Sequence, residues 1–356
     1  MLKTAIEVTR TAKTRLVEGI LDNPGFGHIF SDHMFVMDYV DGAWKAPAIV
    51  PFGDMQISPA LCTLHYGQAI FEGLKAFCAK DGSINVFRPD ASQARLNRSG
   101  ARLCIPPVNH DVFIEGLTEL VRIDREWVPK KHGFSLYIRP FVFATDNYLG
   151  VKVSDTYRFM IITSPVGAYY KEGLNPVSLM TSGEFVRAVR GGLGEAKTPA
   201  NYAASILPAD EAKKKGFTQV LWLDGVERKY IEEVGTMNIF FLIGGELVTP
   251  ALTGSVLAGI TRDSVMTLAR QWGIKVVERR ISIDELIAAS ENGTLAEVFG
   301  TGTAAVISPV GEIAHGERKI AINNGKIGEF SKKVYDYITG IQYGDVQDSF
   351  GWCHKI

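Results

Sequence analysis

The chain has little cysteine, almost no net charge and no long apolar run, and each shortage excludes a class of protein. Its four cysteines are scattered over 356 residues without C-x-x-C spacing, which argues against a zinc site and a disulfide framework and predicts a reducing, cytoplasmic setting without a bound metal. The formal net charge is −1, so we expect no basic face for nucleic acid. Since no apolar run approaches the roughly 18 residues needed to span a bilayer, no membrane segment is predicted.

The composition is that of an ordinary enzyme with a sizeable core. Hydrophobic residues make up 46% of the chain, and its length suits two domains. Strand patterns joined by turns at Asp41-Gly42 and Asp81-Gly82, with two amphipathic helices, predict a first α+β lobe. After an aperiodic stretch from Val166 to Gly173, helices and strands alternate in a second lobe. We therefore expect an α/β (α+β) protein with a smaller N-terminal domain, an interdomain loop and a larger C-terminal domain, over residues 1–168, 169–175 and 176–356.

One lysine lies in a glycine-rich stretch that runs from Gly191 to Tyr202. Glycines let the backbone pass close to a ligand, and Pro199 fits the first turn of a helix, so Lys197 is expected to point into a cavity. Three interpretations compete: an exposed loop lysine, a phosphate loop of the form G-x-x-x-x-G-K-[ST], and a lysine that forms a Schiff base with an aldehyde cofactor such as pyridoxal phosphate. The phosphate loop needs glycine where the chain has Ala196.

Three other segments offer groups for such a cofactor. Glu233 precedes an apolar strand, and a buried carboxylate there would keep a pyridine nitrogen protonated. Gly259-Ile260-Thr261-Arg262 predicts a helix start whose unpaired N–H groups suit a phosphate. Gly300–Ala305 matches part of a dinucleotide fingerprint, but Pro309 argues against the helix that the fingerprint requires. We expect instead a turn of exposed N–H groups, which would suit a carboxylate or a phosphate.

Together these segments resemble the branched-chain amino acid aminotransferases, which are fold type IV enzymes that depend on pyridoxal phosphate. The matching segments, in the family's order, are Leu64–Tyr66, Phe71–Phe77, Arg95–Pro106, Ser135–Pro140, Leu149–Val151, Gly194–Tyr202, Glu233–Asn238, Leu257–Arg262 and Val298–Ala304. The resemblance extends from about Phe26 to Gly344. It implies a two-domain enzyme that reversibly transfers the amino group of leucine, isoleucine or valine to 2-oxoglutarate, giving the branched 2-oxo acid and glutamate.

The resemblance also implies a role for each matching residue. Lys197 would form the Schiff base and move the proton, Glu233 would pair with the pyridine nitrogen, and Tyr202 would pair with the phenolic oxygen. The cofactor's phosphate would be held by Arg95, Arg187, Thr236, Ile260, Thr261 and Thr303. The substrate would meet a wall formed by Phe26, Tyr66, Phe71, Tyr137 and Leu257, and its α-carboxylate would meet Thr303 and Ala304. Leu149 and Val151 resemble a loop lent to the neighbouring subunit, which implies a homodimer.

Two side chains, Arg139 and Tyr66, are candidates for the polar group that receives glutamate in the same pocket. Arg139 is expected at the pocket edge, held by hydrogen bonds near Tyr66. A D-amino acid aminotransferase or an aminodeoxychorismate lyase would share Lys197 and Glu233, but the aromatic and aliphatic wall favours branched-chain substrates. A nucleotide-binding protein of the P-loop type and a cofactor carrier without turnover are the alternatives from other classes. Some animal members of the family carry a C-x-x-C pair where this chain has Ala305 and Ser308, so no thiol switch is expected there.

Overall fold

The computed structural model describes residues 5–167 and 174–356. The strands are β1 (Glu7–Val8), β2 (His33–Val40), β3 (Ala43–Trp44), β4 (Ala48–Pro51), β5 (Ala69–Phe71), β6 (Leu74–Cys78), β7 (Ile84–Phe87), β8 (Ser135–Ala144), β9 (Tyr157–Val166), β10 (Val177–Thr181), β11 (Gln219–Leu223), β12 (Ile231–Val234), β13 (Asn238–Ile243), β14 (Glu246–Pro250), β15 (Val276–Arg279), β16 (Leu295–Gly302), β17 (Val306–His315), β18 (Arg318–Ala321) and β19 (Cys353–Lys355). The α-helices are α1 (Cys62–Tyr66), α2 (Pro89–Arg102), α3 (His110–Ile123), α4 (Pro199–Ala203), α5 (Ile206–Lys214), α6 (Ile260–Gln271), α7 (Ile283–Glu291) and α8 (Glu329–Tyr343). The predicted α/β class is confirmed.

The chain divides into two compact units. Unit 1 comprises Met1–Tyr169, Ala196–Pro199 and Gly340–Ile356, and unit 2 comprises Tyr170–Glu195 and Ala200–Thr339. Two segments that we assigned to the C-terminal domain therefore pack in unit 1, because one is hydrogen-bonded to α2 and the other adds β19 to the sheet beside β7. The predicted boundaries stay a prediction, and residues 169–173 of the predicted loop lie outside the described residues.

Unit 1 is built on a ten-stranded sheet in the order β1-β4-β2-β9-β8-β6-β7-β19, with β3 beside β2 and β5 beside β8. Strands β8 and β9 pair antiparallel along their whole length, from Ser135 opposite Val166 to Ala144 opposite Tyr157. Helix α3 covers the sheet with the face on which its buried residues recur at helical spacing. Its first turn is capped by the Asn109 side chain. The result is a continuous apolar core on one face of this sheet.

The start of α2 differs from the prediction. The sequence Arg88-Pro89-Asp90 predicts a helix start with Asp90 as its cap, but the cap position is Arg88, with φ of 51°, and Asp90 lies in the first turn. Pro89 explains the difference, because proline suits the first helical position, where the missing N–H has no intrahelical partner. The Arg88 N–H donates to the Trp352 carbonyl, outside the helix.

Unit 2 is built on a nine-stranded mixed sheet in the order β12-β11-β10-β17-β16-β13-β14-β15, with β18 beside β17. Strand β10 is parallel to both β11 and β17, whereas β16 is antiparallel to both β13 and β17. Phe240 and Phe299 lie opposite each other in the β13–β16 ladder, with their rings stacked 5.4 Å apart. These two rings are fully buried.

Two expectations for unit 2 have opposite outcomes. The spacing of apolar residues predicts one helix over Ala200–Lys215, but the structure has two, α4 and α5. Pro208 explains the break, because it has no N–H to donate and is tolerated only in the first turn of a new helix. The turn predicted after Gly300 is confirmed, since β16 ends at Gly302 and β17 begins at Val306. Among the described residues, we find no helix long and apolar enough to cross a membrane.

Candidate active site

Lys197 lies in the segment that belongs to unit 1, just before α4. Its N–H donates to Ser99 Oγ at 2.9 Å, and its carbonyl accepts the Phe71 N–H at 3.0 Å. Its Nζ lies 4.7 Å from the centre of the Phe71 ring. Pro199 begins α4, as the sequence predicts. The backbone of Lys197 is thus fixed from both sides, and its amine lies against an aromatic face.

The predicted aromatic wall is partly assembled in unit 1, around Tyr137. The Phe26 ring meets the Tyr137 ring edge-on at 5.1 Å. Arg139 Nη2 donates to the Tyr137 hydroxyl at 3.0 Å, and its guanidinium lies 4.7 Å from the centre of the Phe71 ring. Gly73 permits this arrangement, because a Cβ at that position would overlap the Tyr137 hydroxyl. A chain of contacts therefore runs from Phe26 through Tyr137 and Arg139 to Phe71 and Lys197.

Arg139 is held differently from our expectation. Its hydrogen bond goes to Tyr137, whereas the hydroxyl of Tyr66 donates to the carbonyl of Leu149. The reason is geometric, since Tyr137 and Arg139 are two residues apart on β8 and so lie on the same face of the strand. Arg139 Nε is buried and has no hydrogen-bond partner among the described residues, so the guanidinium keeps a donor that only a further acceptor would satisfy.

Arg95 lies on α2 in unit 1 and is buried. Its Nε and Nη2 donate to the two carboxylate oxygens of Glu72, both at 2.7 Å. Lys75 is another buried cation of this unit, which lies opposite Tyr137 in the β6–β8 ladder, and burial lowers the pKa of its ammonium group to about 8. Glu72 and Lys75 lie in the family-matching segment Phe71–Phe77, but the amino-acid pattern of this segment does not reveal that their charged side chains are buried.

Glu233 is the centre of a buried polar network in unit 2. Its Oε1 accepts the Leu257 N–H at 2.9 Å and the Asn238 Nδ2–H at 3.2 Å, and its Oε2 is paired with Arg187 Nε. The side chains of Glu233 and Arg187 are only 3% and 9% exposed, so the carboxylate is kept out of water yet matched by charge. Asn238, which we assigned no role, also donates to the Leu257 carbonyl and so ties Glu233 to the loop before α6.

Glu232 is buried beside Glu233 but has different surroundings. It accepts a hydrogen bond from Ser255 Oγ. Burial raises the pKa of the Glu232 carboxyl above its usual range, while the Ser255 hydrogen bond opposes that shift. The two neighbouring glutamates therefore differ in their charge partners, since the ion pair with Arg187 belongs to Glu233.

The helix start predicted at Gly259 is confirmed. Gly259 is the cap residue of α6 and makes no side-chain hydrogen bond to the first turn, in which Ile260 and Thr261 lie. A Cβ at Gly259 would overlap the Asn238 side chain, so glycine is needed for this close approach. The N-terminal turn of α6 thus lies beside the residue that also holds Glu233, and its partial positive charge suits an anion.

The other predicted residues of unit 2 lie at two turns and in α4. Thr236 is exposed in the turn between β12 and β13, and Thr303 and Ala304 are half-buried in the turn between β16 and β17. Because Asn238 pairs with Thr301, these two turns lie at the same end of the β13–β16 ladder. Tyr202 lies in α4 and is half-buried.

Comparison with known proteins gives the same family throughout the chain. The family Amino-transferase class IV matches residues 69–313. Branched-chain-amino-acid aminotransferase 2 of Bacillus subtilis is 54% identical over 352 residues, which cover 99% of this chain and 96% of that protein. The Escherichia coli branched-chain amino acid aminotransferase has a structure that matches with a TM-score of 0.73 at 29% identity, covering 89% of this chain and 98% of that one.

A second solved structure was determined with an amino acid, norvaline. It is the branched-chain aminotransferase from the thermophilic archaeon Thermoproteus uzoniensis, which matches with a TM-score of 0.75 at 26% identity and covers 91% of this chain and 99% of that one. The family match spans more than half of the chain, and the Bacillus subtilis relative is matched along nearly its whole length. The predicted family is confirmed: this chain belongs to the class IV aminotransferases, within the branched-chain amino acid aminotransferase family.

Proposed function

We propose that the enzyme transfers the amino group of leucine, isoleucine or valine reversibly to 2-oxoglutarate, with pyridoxal 5'-phosphate held at Lys197. The observation that carries the proposal is the position of Lys197 Nζ against Phe71, at the end of the contact chain through Phe26, Tyr137 and Arg139. This places an amine beside an aromatic wall that also contains one positive charge. Such a wall suits a substrate whose side chain is aliphatic in one half-reaction and carboxylate-bearing in the other.

The residues of each unit fit the chemistry of pyridoxal phosphate. In unit 2, the buried Glu233 carboxylate is paired with the Arg187 guanidinium, and a carboxylate is the partner that a protonated ring nitrogen needs. The first turn of α6 follows a glycine and carries the partial positive charge of a helix N-terminus, so its N–H groups suit a phosphate, and Arg95, Arg187, Thr236 and Thr303 are assigned to the same group. Tyr202 is assigned to the phenolic oxygen.

The reaction removes a proton from a carbon that is not acidic in water. When bound, pyridoxal phosphate supplies a protonated ring that accepts electron density from the substrate Cα. Lys197 Nζ takes the proton from Cα and holds it for return, as a general base whose backbone is fixed on both sides. The N–H groups of the Thr303–Ala304 turn bind the α-carboxylate and so orient Cα toward that amine.

The aromatic and aliphatic wall determines which substrate side chains are accepted. Aliphatic side chains offer no hydrogen bonds, and one methylene changes binding by roughly 1–3 kcal/mol, so leucine, isoleucine and valine are all accepted. Phe26, Phe71, Tyr137, Tyr66 and Leu257 exclude water and pack against these side chains. Arg139, whose guanidinium lies against the Phe71 ring, is assigned to receive the glutamate carboxylate.

The working assembly that we propose is a homodimer. Leu149 and Val151 are 62% and 84% exposed in the loop between β8 and β9, which leaves apolar surface in water. A second subunit whose pocket receives this loop would bury it. Light scattering on the protein and on Val151→Asp tests the assembly, and a monomeric protein with full activity would contradict it.

Visible absorption spectra test the proposed chemistry directly. L-leucine should change the spectrum of the bound cofactor, and 2-oxoglutarate should then restore it, since the two half-reactions regenerate the starting enzyme. D-leucine is the matched control and should leave the spectrum unchanged. A response to D-leucine alone would indicate a D-amino acid aminotransferase, and a protein without visible absorbance would contradict the cofactor assignment.

A further inference from the structure

A buried ion pair of unit 1 contains one residue without an assigned role. Glu72 is completely buried, and the Arg95 side chain is 6% exposed. Two parallel hydrogen bonds of 2.7 Å join the carboxylate to the guanidinium. Such bidentate pairing fixes the plane and direction of an arginine as well as compensating its charge. Glu72 is itself held by the sheet, because its N–H donates to the Pro140 carbonyl at 2.7 Å.

The same two elements hold Lys197. Phe71, which precedes Glu72, donates its N–H to the Lys197 carbonyl. Ser99 accepts the Lys197 N–H and lies four residues after Arg95 on α2, so both side chains project from one face of that helix. The end of β5 and one face of α2 thus fix both the Arg95 guanidinium and the Lys197 backbone.

We propose that Glu72 is a positioning residue, which holds the Arg95 guanidinium in place for an anionic phosphate group before that group binds. The inference rests on the proposed function, in which Arg95 contacts the cofactor's phosphate. An arginine buried without an anion is costly, so without Glu72 the guanidinium would leave its place whenever the phosphate is absent. With Glu72 present, the Arg95 side chain is already ordered before the phosphate binds, so binding does not have to order it and the affinity for the phosphate is higher.

The test compares two probes that differ only in the phosphate. Dissociation constants for pyridoxal phosphate and for pyridoxal are measured on the full-length protein after removal of its cofactor. Glu72→Gln keeps the size of the side chain, but an amide has one acceptor and cannot receive both N–H groups. The dissociation constant for pyridoxal phosphate should rise about tenfold, which is 1.4 kcal/mol, while that for pyridoxal stays unchanged. A merely structural role would weaken both probes alike.

Three further variants complete the experiment. Asp38→Asn breaks a bidentate pair with Arg158 in the same unit and should change neither constant. Glu72→Asp retains the charge and should fall between wild type and Glu72→Gln, and it serves if the glutamine variant does not fold. Arg95→Gln should weaken pyridoxal phosphate alone, and adding Glu72→Gln to it should have no further effect, because Glu72 acts through Arg95.

The outcomes separate this inference from the proposed function. Unchanged or tighter binding of pyridoxal phosphate by Glu72→Gln would overturn the positioning role, and tighter binding would mean that Glu72 opposes the phosphate by charge repulsion. If Arg95→Gln leaves the ratio of the two constants unchanged, Arg95 does not contact the phosphate and that part of the proposed function fails. Loss of affinity for both probes by either Glu72 variant would make the pair purely structural.

Discussion

Replacing Glu233 with glutamine removes one charge from the buried network of unit 2 and leaves its shape intact. The glutamine oxygen can still accept the Leu257 N–H, but its NH2 group then faces the Arg187 guanidinium, donor against donor. Removing one partner of a buried ion pair costs about 3–5 kcal/mol. Arg187 retains hydrogen bonds to the carbonyls of Ser255 and Gly194, so we expect a loss near the lower end, about 3 kcal/mol.

The matched control is Glu232→Gln, one residue away in the same strand. A glutamine oxygen there can accept the Ser255 hydroxyl, so no partner is lost. Because burial raises the pKa of Glu232 in the folded protein, its contribution to stability is present below about pH 4.5 and is lost as pH rises through the folded-state pKa. Glutamine does not titrate, so this variant should be at least as stable as wild type at pH 7, and its advantage should disappear below pH 4.5.

Urea unfolding followed by tryptophan fluorescence measures both variants, and Trp222 lies directly opposite Glu233 in the β11–β12 ladder. Glu233→Gln should also keep the cofactor bound but lose most of the half-reaction rate, since a neutral amide does not hold a ring nitrogen protonated. A loss of stability below about 1 kcal/mol would refute the ion-pair argument. Equal losses in the two variants at pH 7 would show that the Arg187 pairing does not distinguish the two glutamates.

Three other predictions concern the proposed chemistry. Lys197→Ala should abolish the visible absorbance and the turnover, while circular dichroism shows an intact fold, and retained turnover would refute the assignment of Lys197 as the cofactor lysine. Arg139→Leu should slow the half-reaction with glutamate about 10–100-fold, the value of a charged hydrogen bond, and leave leucine nearly unaffected; equal losses would make Arg139 structural. Activity should resist mild peroxide, because Ala305 and Ser308 replace the thiol pair of a redox switch and the four cysteines lack close partners in sequence; burial also raises the pKa of Cys353 to about 12, which keeps its thiol protonated. Rapid loss of activity that a thiol reductant restores would reveal a switch.

The sequence predicts most elements of the fold because their patterns are local. Pro199 opens α4, the Gly259 helix start is present, and Pro309 lies in a strand rather than a helix. The errors arise where one proline outweighs a periodic pattern: Pro208 breaks a helix that apolar spacing alone extends, and Pro89 moves the cap of α2 to Arg88. Both effects are local, because each follows from the fixed φ and the missing N–H of one proline.

The site is predicted less completely, because its contacts join distant parts of the chain. Glu72 and Arg95 are 23 residues apart, and no local pattern shows that their side chains meet. The network around Glu233 depends on Arg187 and Leu257 lying in loops whose paths are set by the whole sheet. Resemblance to a family supplies roles for such residues, but burial and pairing have to be read from the fold.

The pairing of β19 with β7 bears on how the chain reaches this fold during synthesis. Ile84 and Ile356 exchange backbone hydrogen bonds of 3.1 and 2.8 Å, and the Arg88 guanidinium lies over the Trp352 ring. Nearly all of unit 2 therefore leaves the ribosome between the two parts of unit 1 that must pair. Until residues 353–356 have emerged, the β7 edge of the unit 1 sheet has no β19 to pair with, whereas the strands of unit 2 that the structure describes are all made by residue 321. Although its first residues are made earlier, unit 1 is the later of the two to be completed.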